Sequence, residues 1–449
     1  MQTTKIFLMA ALALMTIACS NDDNELTPSE QPAKAQGIPF TATISMGESA
    51  STRALTENGT TIVATWATGE KVALIYDAGG TPTKTDAEVT KQTDGTATIS
   101  ATLASGATNG SAVTIIYPSD AADGTTGNVK SDWLSSQDGT LTGTGGTSIA
   151  EKYDVRKGTG KLSISAGGAT VNNGTAGTPV ALTNLNAIFK FTLSGQSIDA
   201  THPLVIKKGE NDVVTTVTPA SSTTSVYVAM PPAASSTYRF IVTTDNNKYI
   251  KSGTAAITAG KYYQTTLDLS TARYPLALSS ATVDDLGSVI GADGKIYLNM
   301  TAATGASPAT TAVAMIAYKS ETAGESLAIQ LNASPASMSW SDACNYSSYP
   351  SITGNPGTWR LPSKADWQNM FVGCAKDGDD SDASDNSLDP IAGFKEKIGA
   401  TGITWQSGGY WSSTAYDGSR AWGVSVYLSF ALAYFGLYDT SHVLGCLAF

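Results

Sequence analysis

Chemistry has few places to begin in this chain. Two histidines, His202 and His442, and four cysteines, Cys19, Cys344, Cys374 and Cys446, are its whole supply of imidazole and thiol. Nucleophilic catalysis asks for a nucleophile with a base beside it, or for paired acids in a cleft. Neither histidine has a recognisable partner: His202 lies in the turn Ala200-Thr201-His202-Pro203, and His442 lies among tyrosines and small residues. These groups assemble no zinc constellation at these spacings. The acidic run 377–386, from Asp377 to Asn386, offers oxygens to a calcium ion but lacks EF-hand spacing, so it reads as a solvated loop. The expectation is a protein with no metal, no cofactor and no catalysis.

Recognition is the chemistry that remains. From 421 to 433 the even positions are Trp422, Val424, Val426, Leu428, Phe430 and Leu432. The odd ones are Gly423, Ser425, Tyr427, Ser429, Ala431 and Ala433. Strand faces alternate, so the pattern predicts a strand with a bulky inward face and an outward face of small residues plus a tyrosine. Tyr434, Phe435, Tyr438, Asp439 and His442 follow. Tyrosine among serines and glycines is paratope chemistry, because tyrosine gives rigid amphipathic contact and the small residues adapt around it. The bland alternative is an ordinary sheet face covered by another domain.

The elements that must hold such a strip are β-strands. Only 14% of the 449 residues are charged, against roughly 25% in ordinary soluble proteins. Thr, Ser, Gly and Ala fill the difference and suit strands wetted by hydroxyls. A net charge of -11 leaves no basic stripe for phosphates, which excludes a nucleic-acid partner. At the start, Lys5 precedes an apolar run, 6–18, of signal-peptide length. Its end, Thr16-Ile17-Ala18-Cys19, resembles a lipobox, with Cys19 as the acylated residue; an ordinary cleaved signal is the alternative. The acidic cluster after Cys19 resembles a surface-export signal of Bacteroidetes lipoproteins. Residues 20–38 read as a tether.

Phe40, Ala42, Ile44 and Met46 alternate with Thr41, Thr43 and Ser45, and this period returns at Ile62-Ala64-Trp66, Val72-Leu74-Tyr76 and Val113-Ile115-Tyr117. The reading is a β-sandwich over 39–159. A second, over 160–272, carries strands at 187–193, 225–230 and 238–242 and a closing stretch at 257–269. Thr52-Arg53, Trp66-x-x-Gly69-Glu70-Lys71-Val72, Ala259-Gly260-Lys261-Tyr262-Tyr263 and Leu267-Asp268-Leu269 follow in that order. Together they resemble the fimbrillin-like family of Bacteroidales lipoproteins, over about residues 1–272.

From Tyr274 the texture changes. Strand signals at 293–297 and 313–318 precede two capping boxes, Ser339-x-x-Asp342 and Ser363-x-x-Asp366, each opening a helix. With Trp359-Arg360-Leu361-Pro362 and Gly409-Tyr410-Trp411-Ser412-Ser413-Thr414, this region resembles bacterial C-type-lectin-like domains, which are related in fold to ligand-binding variable proteins diversified by retroelements. The fold class expected is therefore mainly β: two fimbrillin-like β-sandwiches, then an α+β C-type-lectin-like domain over 273–449.

The resemblances imply a surface adhesin of the outer membrane or of a fimbrial tip, anchored by lipid. Its partners would be other pilin subunits and a host, bacterial or phage protein or glycan. A shaft or anchor subunit and a nutrient-capture lipoprotein are the alternatives. The lectin-like resemblance puts the ligand face at Tyr416, Asp417, Ser419, Arg420, Gly423, Ser425, Tyr427, Tyr434, Tyr438, Asp439 and His442. It also maps a disulfide onto Cys344 and Cys446; Cys344 with Cys374 is the other pairing. The sugar-and-calcium signatures of animal lectins are missing. The fimbrillin resemblance implies cleavage between Arg53 and Ala54, which would remove the first strand and open a groove for a neighbour's strand. The last strand, ending Leu447-Ala448-Phe449, belongs to the lectin-like domain, so the subunit is expected to accept a strand rather than give one.

Overall fold

The computed structural model describes residues 37–46, 55–59, 61–63, 66–93, 95–143, 147–175, 177–354, 356–375, 388–403, 405–426 and 431–449. The expected signal peptide, most of the tether, Cys19, Arg53, Ala54, Tyr427 and the acidic run lie outside the described residues. The fold is mainly β, in several sheets, and among the described residues its α-helices lie in the last third.

The first unit is one nine-stranded sheet. Strand Ile38–Ser45 pairs antiparallel with Thr96–Leu103 along its whole length. Its other edge meets Gly168–Asn172 and Val180–Ala181 in parallel. Because Gly168–Asn172 also pairs with Arg156–Ser165, the sheet closes on itself. The alternation read in the sequence is real: Phe40, Ala42 and Ile44 are buried in the core with Leu74, Ile99 and Ile115, while Thr41 and Thr43 are exposed. The Ile62-Ala64-Trp66 signal is only partly a strand, Thr61–Val63; Trp66 is buried outside it, its ring edge-on to Tyr117.

The boundary expected near residue 160 moves. Strands Arg156–Ser165, Gly168–Asn172, Val180–Ala181 and Thr183–Asn184 all belong to the first sheet. The second unit thus starts with Ala187–Ser194, flanked by Ser225–Met230 and, in parallel, Tyr262–Asp268. Its other sheet runs Lys248–Ile257, Ala233–Thr243, Leu204–Lys208, Asp212–Val217 and Ser136–Gln137, the last borrowed from the first unit's chain. Composition carries no sign of which sheet a strand will join, so pairing between distant strands moved the boundary.

A small hairpin, Thr56–Asn58 with Thr61–Val63, connects the two units. Glu57 accepts from Lys190 Nζ at 2.9 and 2.7 Å, from the hydroxyls of Tyr227 and Tyr262 at 2.5 and 2.9 Å, and from Gln264 Nε2 at 3.1 Å. These four donors all stand on strands of the second unit.

The last unit has a seven-stranded sheet in which Cys446–Ala448 lies between Leu327–Gln330 and Thr358–Arg360. Helices open at both predicted capping sequences, and the reciprocal box forms at the second only. Ser339 accepts from the Asp342 N–H ahead of Trp340–Cys344, and Ser363 exchanges bonds with Asp366 ahead of Lys364–Gly373. A further helix, Leu388–Ala400, was not read from the sequence.

Candidate ligand-binding face

The strip 421–433 is two strands, not one. Arg420–Ser425 ends before residue 426, and Ala431–Gly436 returns antiparallel beside it, with Gly409–Ala415 on the other flank. Arg420 opposes Gly436 and Ser425 opposes Ala431, so odd-numbered residues of both strands share one face.

That odd face points inward, which reverses the expectation. Ala421 and Gly423 are buried and Ala433 is half-buried. Phe435 packs edge-on to Trp411 over a small core with Ala343, Leu361 and Val443. Small residues here serve close approach rather than adaptable contact. A Cβ on Gly423 would lie 2.5 Å from the Tyr410 carbonyl and 2.7 Å from Phe435 Cε2. Gly423 therefore leaves the expected ligand face, because Phe435 occupies the space above it.

The even face divides along its length. Val424 is buried, and half-buried Leu432 packs against the same core, as predicted. Toward the turn the same face is open and aromatic. Tyr416 and Tyr434 are 43% and 48% exposed. Their rings stack at 4.5 Å and 18°, and Trp422 stands edge-on to them at 5.2 and 6.3 Å. Trp422, expected in the core, thus belongs to the open cluster. Arg420 lies over both tyrosines, 4.7 and 4.6 Å from the ring centres, and Lys364 Nζ sits 3.7 Å over Trp422. Cations over aromatic faces are attracted by the ring quadrupole.

The turn before this face is built to hold Arg420. Asp417 Oδ2 accepts from Arg420 Nε and Nη2 at 2.8 and 2.6 Å, and its Oδ1 accepts from the Ser419 N–H and hydroxyl at 2.8 and 2.9 Å. The guanidinium first, then the Ser419 N–H, hold the Asp417 carboxyl down at about 2. The Tyr416 N–H closes the turn onto the Arg420 carbonyl at 2.8 Å. Lys364 reaches Trp422 because its N–H is fixed to Thr414 Oγ1 at 2.9 Å. Trp340 Nε1 donating to the Ser412 carbonyl and Trp411 Nε1 donating to the Met338 carbonyl, each at 2.8 Å, brace the three-stranded sheet against the Ser339 segment. Trp359-Arg360-Leu361-Pro362 does similar service: Arg360 pairs with Asp366 at 2.8 Å, and the Pro362 carbonyl accepts from the Ser413 N–H.

Of the expected ligand-face residues, Tyr416, Asp417, Ser419, Arg420 and Tyr434 come together. Tyr438 is 97% exposed in the next turn, where Asp439 Oδ2 accepts from the Gly436 N–H at 2.8 Å. Ser425 is half-buried at the hairpin's far end. His442 is half-buried with its ring 5.5 Å from that of Tyr410, and its backbone pairs with Gly409 and Trp411, so it supports the sheet. Lys364 was missed; nothing in local sequence ties a helix start to a strand some 58 residues on.

Among the described residues there is no disulfide. Cys344 is exposed at the end of its helix, while Cys374 and Cys446 are buried. Cys446 turns its sulfur to Asp366, and Cys374 donates to the Ala317 carbonyl at 3.3 Å. Burial pushes both buried thiols up to about 12. The bridge expected between Cys344 and Cys446 therefore gives way to a thiol in the core and one at the surface.

No protein-family model matches this chain, and no curated protein does. Among solved structures, a fimbrial protein from Bacteroides ovatus is 11% identical with a TM-score of 0.28, the match covering 92% of this chain and 99% of that one. A cell adhesion protein from Bacteroides uniformis is 12% identical with a TM-score of 0.27, over 54% of this chain and 95% of its own. The tip fimbrial protein of Porphyromonas gingivalis, truncated at its C-terminus, is 8% identical with a TM-score of 0.24, over 48% and 81%. Likenesses this faint carry no argument about what this chain binds or joins.

Proposed function

We propose that the chain is a surface adhesin subunit of fimbrial type, lipid-anchored at Cys19, which binds a protein or glycan through the face made by Tyr416, Arg420, Trp422 and Tyr434. One observation carries this reading: two exposed tyrosines stacked on each other, under an arginine that Asp417 fixes in place. Tyr, Trp and Arg are the residues that dominate binding energy at protein interfaces, and a rigid cluster loses little entropy on contact. A monomer that needed only to fold would gain nothing by leaving such groups in water. By the lectin-like resemblance the ligand contacts would lie on this hairpin, where retroelement diversification would act.

Strand Ile38–Ser45 supports the assembly half of the proposal. It fills a slot between strands on both sides, so cleavage after Arg53 would leave two unpaired edges for a neighbour's strand. The strand Cys446–Ala448 is itself paired on both edges, so the exchange proposed here concerns the Ile38–Ser45 slot.

The test is adherence. Beads carrying the full chain should bind epithelial cells or co-resident bacteria, and a triple Tyr416→Ala, Arg420→Ala, Tyr434→Ala variant should lose that binding by tenfold or more. Truncation at residue 272 should abolish adherence while leaving subunit assembly intact. Adherence unchanged in both variants would leave only a scaffold subunit.

A further inference from the structure

A second site lies at the other end of the helix Lys364–Gly373 from the tyrosine face, where the second unit meets the last. A cavity of about 760 Å³ opens there between the strands Leu204–Lys208 and Lys248–Ile257 on one side and the helix Leu388–Ala400 on the other. That volume falls within the range of small-molecule sites. Val205, Ile241, Leu286 and Val372 give it apolar walls, and Lys207, Lys248, Lys319 and Lys397 line it.

The charges divide unevenly. Arg239 and Arg273, just behind the wall, are each matched: Arg239 pairs with Asp284, and Arg273 Nε meets Asp285 Oδ1 at 2.6 Å. Lys319 donates to Ser320 and Ser326. Lys248 Nζ has only the Asp284 carbonyl, and Lys207 reaches the already paired Asp284 at 4.0 Å. Among the described residues Lys397 makes no ion pair. The remaining carboxylates on the lining, Asp212 and Glu396, are exposed.

These three ammonium groups come from three different elements and oppose one another. Burial first, then Arg273, Lys397 and Lys207, push the Lys248 amine down to about 8 despite Asp285 nearby. Lys207 is lowered by burial and then by Arg239 and Lys397. Like charges gathered in a chain of net charge -11 are costly unless something negative joins them.

We infer that this cavity binds a small organic anion with two negative charges on an apolar body, its oxygens meeting Lys207, Lys248 and Lys397. A phosphate monoester and a dicarboxylate share that chemistry. Titration calorimetry on the full chain separates them, with phenyl phosphate and phthalate as the two arms and inorganic phosphate and benzyl alcohol as controls. One of the first two probes should bind one-to-one, at least tenfold tighter than either control. Lys397→Met and Lys207→Met, half-buried lysines on different elements, should each weaken it tenfold or more. Tyr434→Ala should leave it unchanged, which keeps this site separate from adherence. Absence of saturable binding by both arms, or affinity indifferent to both lysine substitutions, overturns the assignment.

Discussion

Arg420 owes its usefulness to Asp417. Left alone, a surface arginine explores many rotamers, and ordering it on contact opposes binding. Here both nitrogens of one edge are held by a single carboxylate oxygen, and the flat of the guanidinium rests over two stacked rings. Truncating Tyr434 removes one ring and uncovers the other, so Tyr434→Ala should weaken adherence by on the order of 30-fold, the size of an interface hot spot. Asp417→Asn keeps the shape but lets the guanidinium swing; a loss of about threefold to tenfold is expected, measured on the same beads. Because Asp417 is held at about 2, well under its ordinary 3.8, the pair is already charged throughout ordinary pH. Adherence should therefore be flat from pH 5 to 8, and a strong fall inside that window would mean that another group controls the face.

Elements are placed by a few contacts that local sequence does not announce. The hairpin Thr56–Asn58/Thr61–Val63 has two strands of three residues, too small to hold itself. Its position depends on Glu57, whose carboxyl Lys190 and then Tyr227 and Tyr262 hold down at about 2, from an ordinary 4.5. Glu57→Gln should cost about 1–2 kcal/mol, as bonds to a charged acceptor become ordinary ones, and lower the melting temperature by about 2–8 °C. The carboxyl is lowered in the folded state, so its contribution is full above pH 4.5 and fades as pH falls toward 2. Melting curves of the two proteins should differ at pH 7 and draw together below pH 4; a gap constant with pH would mean that Glu57 acts by shape alone. The strands and both helix starts were legible because period and cap spacing are local. The hairpin at 420–436 was misread because alternation looks the same in one long strand and in two strands folded back. The sense of the faces was lost with it, since bulky Trp422 is only half-buried and Gly423 lies beneath a ring. Sheet membership of 156–184 was not legible at all, because it depends on partners as distant as Ile38–Ser45.

At the scale of the molecule, the opening strand decides whether the first unit stands alone. Phe40, Ile44 and Met46 are nearly fully buried, and burying three such side chains contributes about 5–9 kcal/mol at about 1.5–3 each. That is comparable with the whole stability of an ordinary domain. Removing the strand would also unpair the edges of Thr96–Leu103 and of Gly168–Asn172, and would leave the buried Arg156 without its 2.8 Å bond to the Met46 carbonyl. A chain beginning at residue 55 should therefore lose the first unit's thermal transition, while the transition of residues 187–449 persists. A synthetic peptide Ile-Pro-Phe-Thr-Ala-Thr-Ile-Ser-Met, the sequence of residues 38–46, should restore that transition when added in excess, because it re-forms the same ladder and refills the same core. A peptide with Phe40 and Ile44 replaced by serine should not. If the shortened chain melted as the full one does, the strand would be dispensable and there would be no slot for a neighbouring subunit to fill.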